Sequence, residues 1–425
     1  MFAALAVMIA LAQAPAADAP PLPISGTNAL GGRVFRVGLG LRFDSIAASL
    51  RPGDEVVLDR GIHESFTLSD LRGERGKPIV IRGEPGDEPM RFPYIKGGAD
   101  GIHLVRPRNV VVRDLMVGNA TGALLTIDGE SDPAKAPWDA NVTVSNLRLQ
   151  QTNAEPEQVA IRLRGVARVD MSGLHIKGWN AAAAVFERAS QCSMNGTVLE
   201  CERALPQTDG VRVLAGSSQI ALGALTFGPG VGTAFRLGDC KGAAPDARPA
   251  SRLLVRRCSV VEPQRFAWLG SVEEAYIDCN TVDGPRRTLF TCDEACGPAT
   301  AITLAGNLFQ WMPGSMDRLF EMPTGAAPEN VRLMANLWWS AELPGAFEAI
   351  GRPFGIELQP QVVDVDPRLD PKTTEPAAEA AKPFGWRTQA FRAPPPSSAL
   401  PKAPRPANPP SAPADGTPAP ASAQP

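Results

Sequence analysis

GIHLV (residues 101–105) followed by NVVVRDLMV (109–117) decides the fold, because the same phrase returns along the chain. LLTID (124–128) leads to NVTVSNLRL (141–149), AIRLR (160–164) to RVDMSGLHI (168–176), and so on to RLFEM (318–322) and VRLMANLWW (331–339). Each of the nine copies between Gly101 and Trp339 is a short apolar strand, a turn, and a second strand broken near its end by a small or polar residue. With Gly101, Ala123, Val159, Ala182, Asp209, Thr233, Arg265, Thr288 and Asp317 as starts, the steps are 22, 36, 23, 27, 24, 32, 23 and 29 residues. Recurrence at this length marks stacked units, each burying its apolar face only against its neighbours. Two strands per unit with no helical periodicity between them predict an all-β chain, a right-handed parallel β-helix.

Aligning the units places Asp114, Asn146, Gly173, Gly196, Ala224, Cys258, Asn280, Asn307 and Asn336 in one column at the second turn. Asn, Asp and Gly tolerate the left-handed dihedrals such a turn needs. Stacked Asn amides also bond from rung to rung, so the expected role of Asn280, Asn307 and Asn336 is structural. The residues that follow them, Leu115 to Leu337, are mostly apolar and expected to point inward.

A chain of 425 residues would ordinarily divide into domains, but a solenoid extends one core along an axis. With 44% hydrophobic and only 6% aromatic residues, the core is expected to be layers of Val, Leu, Ile and Ala. The net charge of −3 and the absence of a nucleic-acid motif exclude general attraction to nucleic acid. The apolar run Phe2–Leu11 is too short to span a bilayer and precedes Ala12-Gln13-Ala14, so residues 1–20 read as a signal peptide. Export to the periplasm or beyond permits disulfides. Among the seven cysteines, Cys292 and Cys296 could close a small loop, Cys192 and Cys201 would pair only with strain, and most of the rest read as buried thiols. No C-x-x-C pair exists, so no zinc site is expected.

Residues 21–32 read as a linker and 33–100 as a cap with the first strands. Phe43, Ile46, Ala47 and Leu50 recur at helical spacing, with Asp44 or Ser45 as N-cap and Pro52-Gly53 as the stop; a short capping helix is expected there. Strands are expected at Glu55–Asp59, Ile62–Leu68 and Ile79–Arg82. Rungs and a closing coil occupy 101–369. From Asp370 the composition turns to Pro, Ala and Ser, which predicts a mostly disordered tail over 370–425, with Phe384, Trp386 and Phe391 docking back before it.

Three stretches carry a family resemblance. Phe43-x-Ser45-Ile46-x-x-x-Leu50-x-Pro52-Gly53-Asp54-x-Val56-Val57-Leu58 resembles the opening cap of secreted bacterial right-handed β-helix proteins of the pectate-lyase-like superfamily. Gly76-Lys77-Pro78-Ile79-Val80-Ile81-Arg82-Gly83 resembles the next segment of chondroitinase-B-like and alginate-lyase-like members, and Gln359 to Pro367 resembles their closing coil. The resemblance implies this fold from about Arg33 to Leu369 and an extracellular glycan partner. It also implies a Lys and Arg pair with an Asn/Glu calcium cluster. That cluster is not matched: the central rungs hold no Lys beyond Lys177 and no Asn-Glu-Glu grouping. No cofactor is expected on the residues themselves, and calcium rests on the resemblance alone.

Alternation along the first strand of each unit puts one residue outward per rung. The outward set reads His103, Thr126, Arg162, Val185, Arg212, Arg236 and Ala267. Rungs stack about 4.8 Å apart, which makes Arg212 and Arg236 neighbours with Arg162 two rungs away. Such a ridge suits an anionic polysaccharide, because Arg engages carboxylate or sulfate bidentately. Glu187, Asp209 and Asp239 lie close enough to neutralise it, which is the structural alternative. His103, Arg162, Arg212 and Arg236 are thus the candidate substrate-binding residues. For a uronate lyase, Arg212 is the candidate base and Arg236 or Arg162 the carboxylate clamp. Gln207-Thr208-Asp209-Gly210 faintly resembles a polygalacturonase block but lacks the paired Asp and the Gly-His-Gly that should follow, and reads as a turn. Asp283-Gly284-Pro285-Arg286-Arg287 is a turn carrying two cations, and Trp338-Trp339 offers one inward and one outward ring. The candidate functions are therefore a glycan-binding solenoid, a structural or adhesive solenoid, and a uronate lyase. A monomer is the expected state.

Overall fold

The computed structural model describes residues 24–385 except 41–42, 85–91, 152–156, 202–207, 241–247, 293–298, 313, 317, 322–330, 341–355, 359–361, 364–365, 371–373 and 383. The expected signal peptide, most of the linker and the tail beyond Gly385, with Trp386 and Phe391, lie outside the described residues.

The chain is a parallel β-helix. One face is a ten-strand parallel sheet: Phe66–Ser69, Ile102–Val105, Ala123–Asp128, Val159–Arg164, Ala182–Glu187, Asp209–Leu214, Thr233–Asp239, Arg265–Leu269, Thr288–Cys292 and Arg318–Glu321. Apart from Ile24–Thr27, which pairs antiparallel with Arg33–Val37, the other strands form two further parallel columns, continuous because Val110–Gly118 and Trp138–Gln150 each run through both. Ala123, Val159, Ala182, Asp209, Thr233, Arg265 and Thr288 are direct partners down the first sheet, so the spacing of these copies is the register of the rungs. The first and last starts slip by one: Ile102 pairs with Leu125, and Thr288 with Arg318 rather than Asp317. Parallel pairing starts earlier than the copies do: Arg33–Val37 pairs with Glu55–Leu58, which pairs with Ile79–Gly83. At the other end Ile356–Leu358 and Val362–Val363 add to the last rung.

Four expectations change. No α-helix occurs among the described residues, and the cap segment forms a six-residue 3-10 turn, Asp44–Ser49, with no side-chain cap bond. Spacing of three serves a 3-10 turn as well as an α-helix, so Phe43 and Ile46 still reach the core. Phe43 meets Phe66 edge-on, with ring centroids 4.6 Å apart.

The second-turn column is two columns. Asp114, Asn146, Gly173, Gly196, Ala224, Arg257, Cys279, Gly306 and Ala335 hold the left-handed position, with φ between 47° and 62° at each. The next residue points inward: Leu115, Leu147, Leu174, Thr197 and Leu225, then Cys258, Asn280, Asn307 and Asn336. The sequence alignment therefore slips by one from Cys258 onward, and the three Asn side chains occupy core positions. They pair there as a ladder. Asn280 Nδ2 donates to Asn307 Oδ1 (2.9 Å) and Asn307 Nδ2 to Asn336 Oδ1 (2.9 Å), while the backbone N–H of Cys258 donates to Asn280 Oδ1 (2.9 Å). Ser259, Thr281, Leu308 and Leu337 face the outside instead. Residues near the C-terminus cover them: Ser259 Oγ lies 2.5 Å from Thr374 Oγ1, and Leu308 and Leu337 pack against Ala381 and Phe384.

The core also differs in kind. Aliphatic layers fill the N-terminal rungs, but Phe227, Phe235, Phe266, Phe290, Phe309 and Trp338 run down the C-terminal ones with centroids 4.5–6.0 Å apart. Trp338 is thus the inward ring, while Trp339 packs outside with Leu308, Leu337 and Phe384. Full burial of such a side chain stabilises by about 1.5–3 kcal/mol, so the few aromatic residues carry a large share of this half. Cys292 is a buried free thiol, contrary to the expected Cys292–Cys296 loop. Cys240 is disulfide-bonded, and Cys296 lies outside the described residues. Burial pushes the Cys192 and Cys258 thiols up to about 12, which makes them inert.

Candidate functional site

The outward row on the ten-strand sheet reads Thr67, His103, Thr126, Arg162, Val185, Arg212, Arg236, Trp268, Thr291 and Glu321, each in register with the next. Arg212 and Arg236 are adjacent and Arg162 is two rungs away, as the alternation required. Ala267 is the exception. It faces the core against Phe235 and Phe290, and Trp268 takes the outward place beneath the Arg236 guanidinium, 4.7 Å from the ring centroid. A bulky ring reads as core in sequence, which produced the slip. Only 7% of Trp268 is exposed, so it props Arg236 and offers no stacking surface.

Arg212 and Arg236 converge on one carboxylate. Asp209, fully buried, accepts from Arg212 Nε (3.0 Å) and Nη2 (2.6 Å) and from Arg236 Nε (2.9 Å) through Oδ2. Asp239, also buried, lies 3.6 Å from Arg212 and 4.0 Å from Arg236. A buried charge persists only when paired, so two of the three ridge cations compensate acids beneath them. Arg162 differs: it is half-buried and, among the described residues, makes no hydrogen bond or ion pair. Val185, between Arg162 and Arg212, joins Val159, Ala182 and Leu214 in a small apolar cluster on the outer face. The row therefore presents one unengaged cation, an apolar step, and a neutralised Arg–Asp array.

Beyond that array, Arg265 lies 3.8 Å from Glu321, and Arg287 donates to Glu321 at 2.9 Å. Burial, then the neighbouring charges of Arg287 and Arg236, push the Arg265 guanidinium below its ordinary value, although Glu321 and Asp209 oppose this. Glu321 is held below the usual carboxylate range: burial works against this, but bonds from Arg287 and Thr291 outweigh it. In the Asp283–Arg287 turn Arg286 pairs with Glu262, so neither of its cations is spare.

His103 stands between two acids, with Nε2 2.9 Å from Asp128 and Nδ1 3.6 Å from Asp100. Arg164 grips Asp128 with both ends, at 3.0 and 2.7 Å. Burial alone would raise the Asp128 carboxyl, but the bonds from His103 and Arg164 prevail and hold it at about 2, below the ordinary 3.8. A depressed carboxylate stabilises the fold above its unfolded value and loses that contribution as pH falls through the folded one. Asp128 is partly solvated, so screening leaves about 1 kcal/mol of this. Asp128→Asn will lower the melting temperature at pH 7 by a few degrees, and the gap will close between about pH 4 and pH 2. Melts of both proteins across that range check it; a gap independent of pH would refute the assignment.

Among the described residues no three His, Cys, Asp or Glu side chains are grouped to hold a metal ion. The calcium cluster of the resembled enzymes does not fit this chain, and no step is derived through it. Asp209 is the residue that sequence reasoning undervalued. Its signal was its place at a rung start where Val159 and Ala182 are apolar, three residues before Arg212 on the same strand.

No protein-family model and no curated protein matches this sequence. Solved structures do. XylC in complex with xylose superposes with a TM-score of 0.51 at 8% identity, over 79% of this chain and 87% of that one. The GH136 lacto-N-biosidase from Eubacterium ramulus gives 0.50 at 13%, over 76% and 63%. The alginate lyase from Paenibacillus sp. str. FPU-7 gives 0.39 at 14%, over 76% and 96%. At such identities the likeness to the first two is one of fold. No helix among the described residues is long and apolar enough to cross a membrane.

Proposed function

We propose that this is an exported β-helix protein that holds an acidic polysaccharide along the outward row of its ten-strand sheet, without established catalysis. The observation that carries the reading is Arg162: a half-buried guanidinium with no partner among the described residues, in line with His103 on one side and the Arg212–Asp209–Arg236 array on the other. A carboxylate or sulfate supplies what Arg162 lacks. Export is supported by the apolar run ending in Ala-Gln-Ala and by the Cys240 disulfide.

The neutralisation of Arg212 and Arg236 favours the structural rival for that part of the row. It also weighs against Arg212 as a lyase base, since a guanidinium is protonated near neutrality and this one donates twice to a buried acid. We therefore place the anion at Arg162. On immobilised alginate, pectate or chondroitin sulfate at low salt the wild type will be retained, and Arg162→Ala will weaken retention about tenfold or more with no change in melting temperature. Retention will fall steeply with salt, because charges are screened over about 8 Å at physiological ionic strength. A wild type that none of these glycans retains returns the protein to the structural reading. Retention without unsaturated-uronate absorbance, with or without added calcium, means binding without cutting.

A further inference from the structure

Asp209, Thr233 and Arg265 follow one another on consecutive rungs of the outer face. Asp209 and Thr233 are at least 99% buried, and Asp209 Oδ1, Thr233 Oγ1 and Arg265 Nε each lack a hydrogen-bond partner. Leaving one such group unsatisfied is costly, and native interiors rarely do so. Asp209 and Thr233 sit on adjacent strands about 4.8 Å apart, whereas Arg265 is a rung further and its Nε lies 3.8 Å from Glu321. The carboxylate oxygen accepts only, the guanidine N–H donates only, and the threonine hydroxyl does either.

We propose that Asp209 Oδ1 and Thr233 Oγ1, on adjacent rungs, line a pocket for a hydroxyl-type oxygen, which donates to Asp209 Oδ1 and bonds Thr233 Oγ1. A carboxylate cannot take that place, since it has no proton to give Asp209 and would meet its charge. The guest has two possible sources: a water molecule in the free protein, or a ring hydroxyl of an uncharged sugar unit that displaces it. The pocket starts two rungs from Arg162. A bound glycan would then place its anion at Arg162 and a neutral hydroxyl at Asp209. Only this sugar arm rests on the glycan reading above.

Thr233→Val and Thr233→Ser separate the outcomes. If the pocket is filled, Val breaks the hydroxyl network and lowers the melting temperature by a few degrees, while Ser keeps most of it. If Thr233 Oγ1 is truly without a partner, Val removes a buried unsatisfied group and the protein melts at the same or a higher temperature, with Ser the worse of the two; that result overturns the proposal. In a high-resolution crystal structure, solvent density within hydrogen-bond distance of Asp209 Oδ1 and Thr233 Oγ1 supports it and an empty site refutes it. Retention on the glycan column then assigns the source. A loss of about tenfold for Val but not Ser identifies a sugar hydroxyl, and unchanged retention with lowered stability identifies water. A wild type that is not retained defeats the glycan reading and leaves the melting and density tests intact.

Discussion

Asn307→Leu will destabilise the protein by about 3 kcal/mol, even though leucine fills the equivalent core position at Leu115, Leu147, Leu174 and Leu225. Shape is not the issue there; partners are. Asn307 Oδ1 accepts from both the backbone N–H (3.0 Å) and the side-chain amide (2.9 Å) of Asn280, and Asn307 Nδ2 donates to Ile277 O (2.9 Å) as well as to Asn336 Oδ1. Leucine removes all of these and leaves a buried backbone N–H and a carbonyl unpaired, each costing about 1–3 kcal/mol. A urea titration reads the loss as a lower midpoint at unchanged slope. If Asn307→Leu is neutral or stabilising, the ladder contributes nothing and the position needs only volume.

That ladder also marks how far the fold was legible in sequence. Repeat spacing gave the architecture and most of the register, because each rung must present the same inward pair to its neighbours. Leu125, Ile161, Val211 and Phe235 align with no other choice. The turn column was misread from Cys258 onward because Asn suits both a left-handed turn and a hydrogen-bonded core stack. Residue type alone cannot separate the two. At the turn itself the chain uses Arg257, Cys279 and Ala335, none of which advertises a positive φ. Tertiary pairing imposes that conformation, so no local signal precedes it.

The outward row was legible in position and not in depth. Alternation placed His103, Arg162, Arg212 and Arg236 outward on one row, and the register agrees. What alternation cannot tell is depth. Asp209, an outer-face residue, is as buried as the core because Arg212 and Arg236 lie across it and bond to it. Of the two alternatives weighed for the row, neutralisation holds at Arg212 and Arg236 through Asp209, while the Arg162 side chain is unengaged among the described residues.

Replacing Arg212 and Arg236 together by alanine will therefore cost about 3–5 kcal/mol, although solvated positions on a sheet face were expected to cost little. Among the described residues their guanidinium groups are the only charges bonding Asp209, through three hydrogen bonds, and they lie 3.6 and 4.0 Å from Asp239. Removing them strands the buried Asp209 carboxylate and takes two cations from beside Asp239. The penalty then comes from the acids left behind and not from the arginines themselves, which makes it separable. Adding Asp209→Asn to the double variant will recover part of the loss, since a neutral amide costs far less to bury than an ion. Thermal melts of the double and triple variants test this. A double variant that melts with the wild type, or a triple variant no more stable than the double, would show that Asp209 is not held by these two residues. The same reasoning sets the terms for any binding experiment. Lost glycan retention in the double variant would mix lost contacts with a disturbed sheet, whereas the Arg162 side chain pairs with nothing among the described residues and can be removed without that ambiguity.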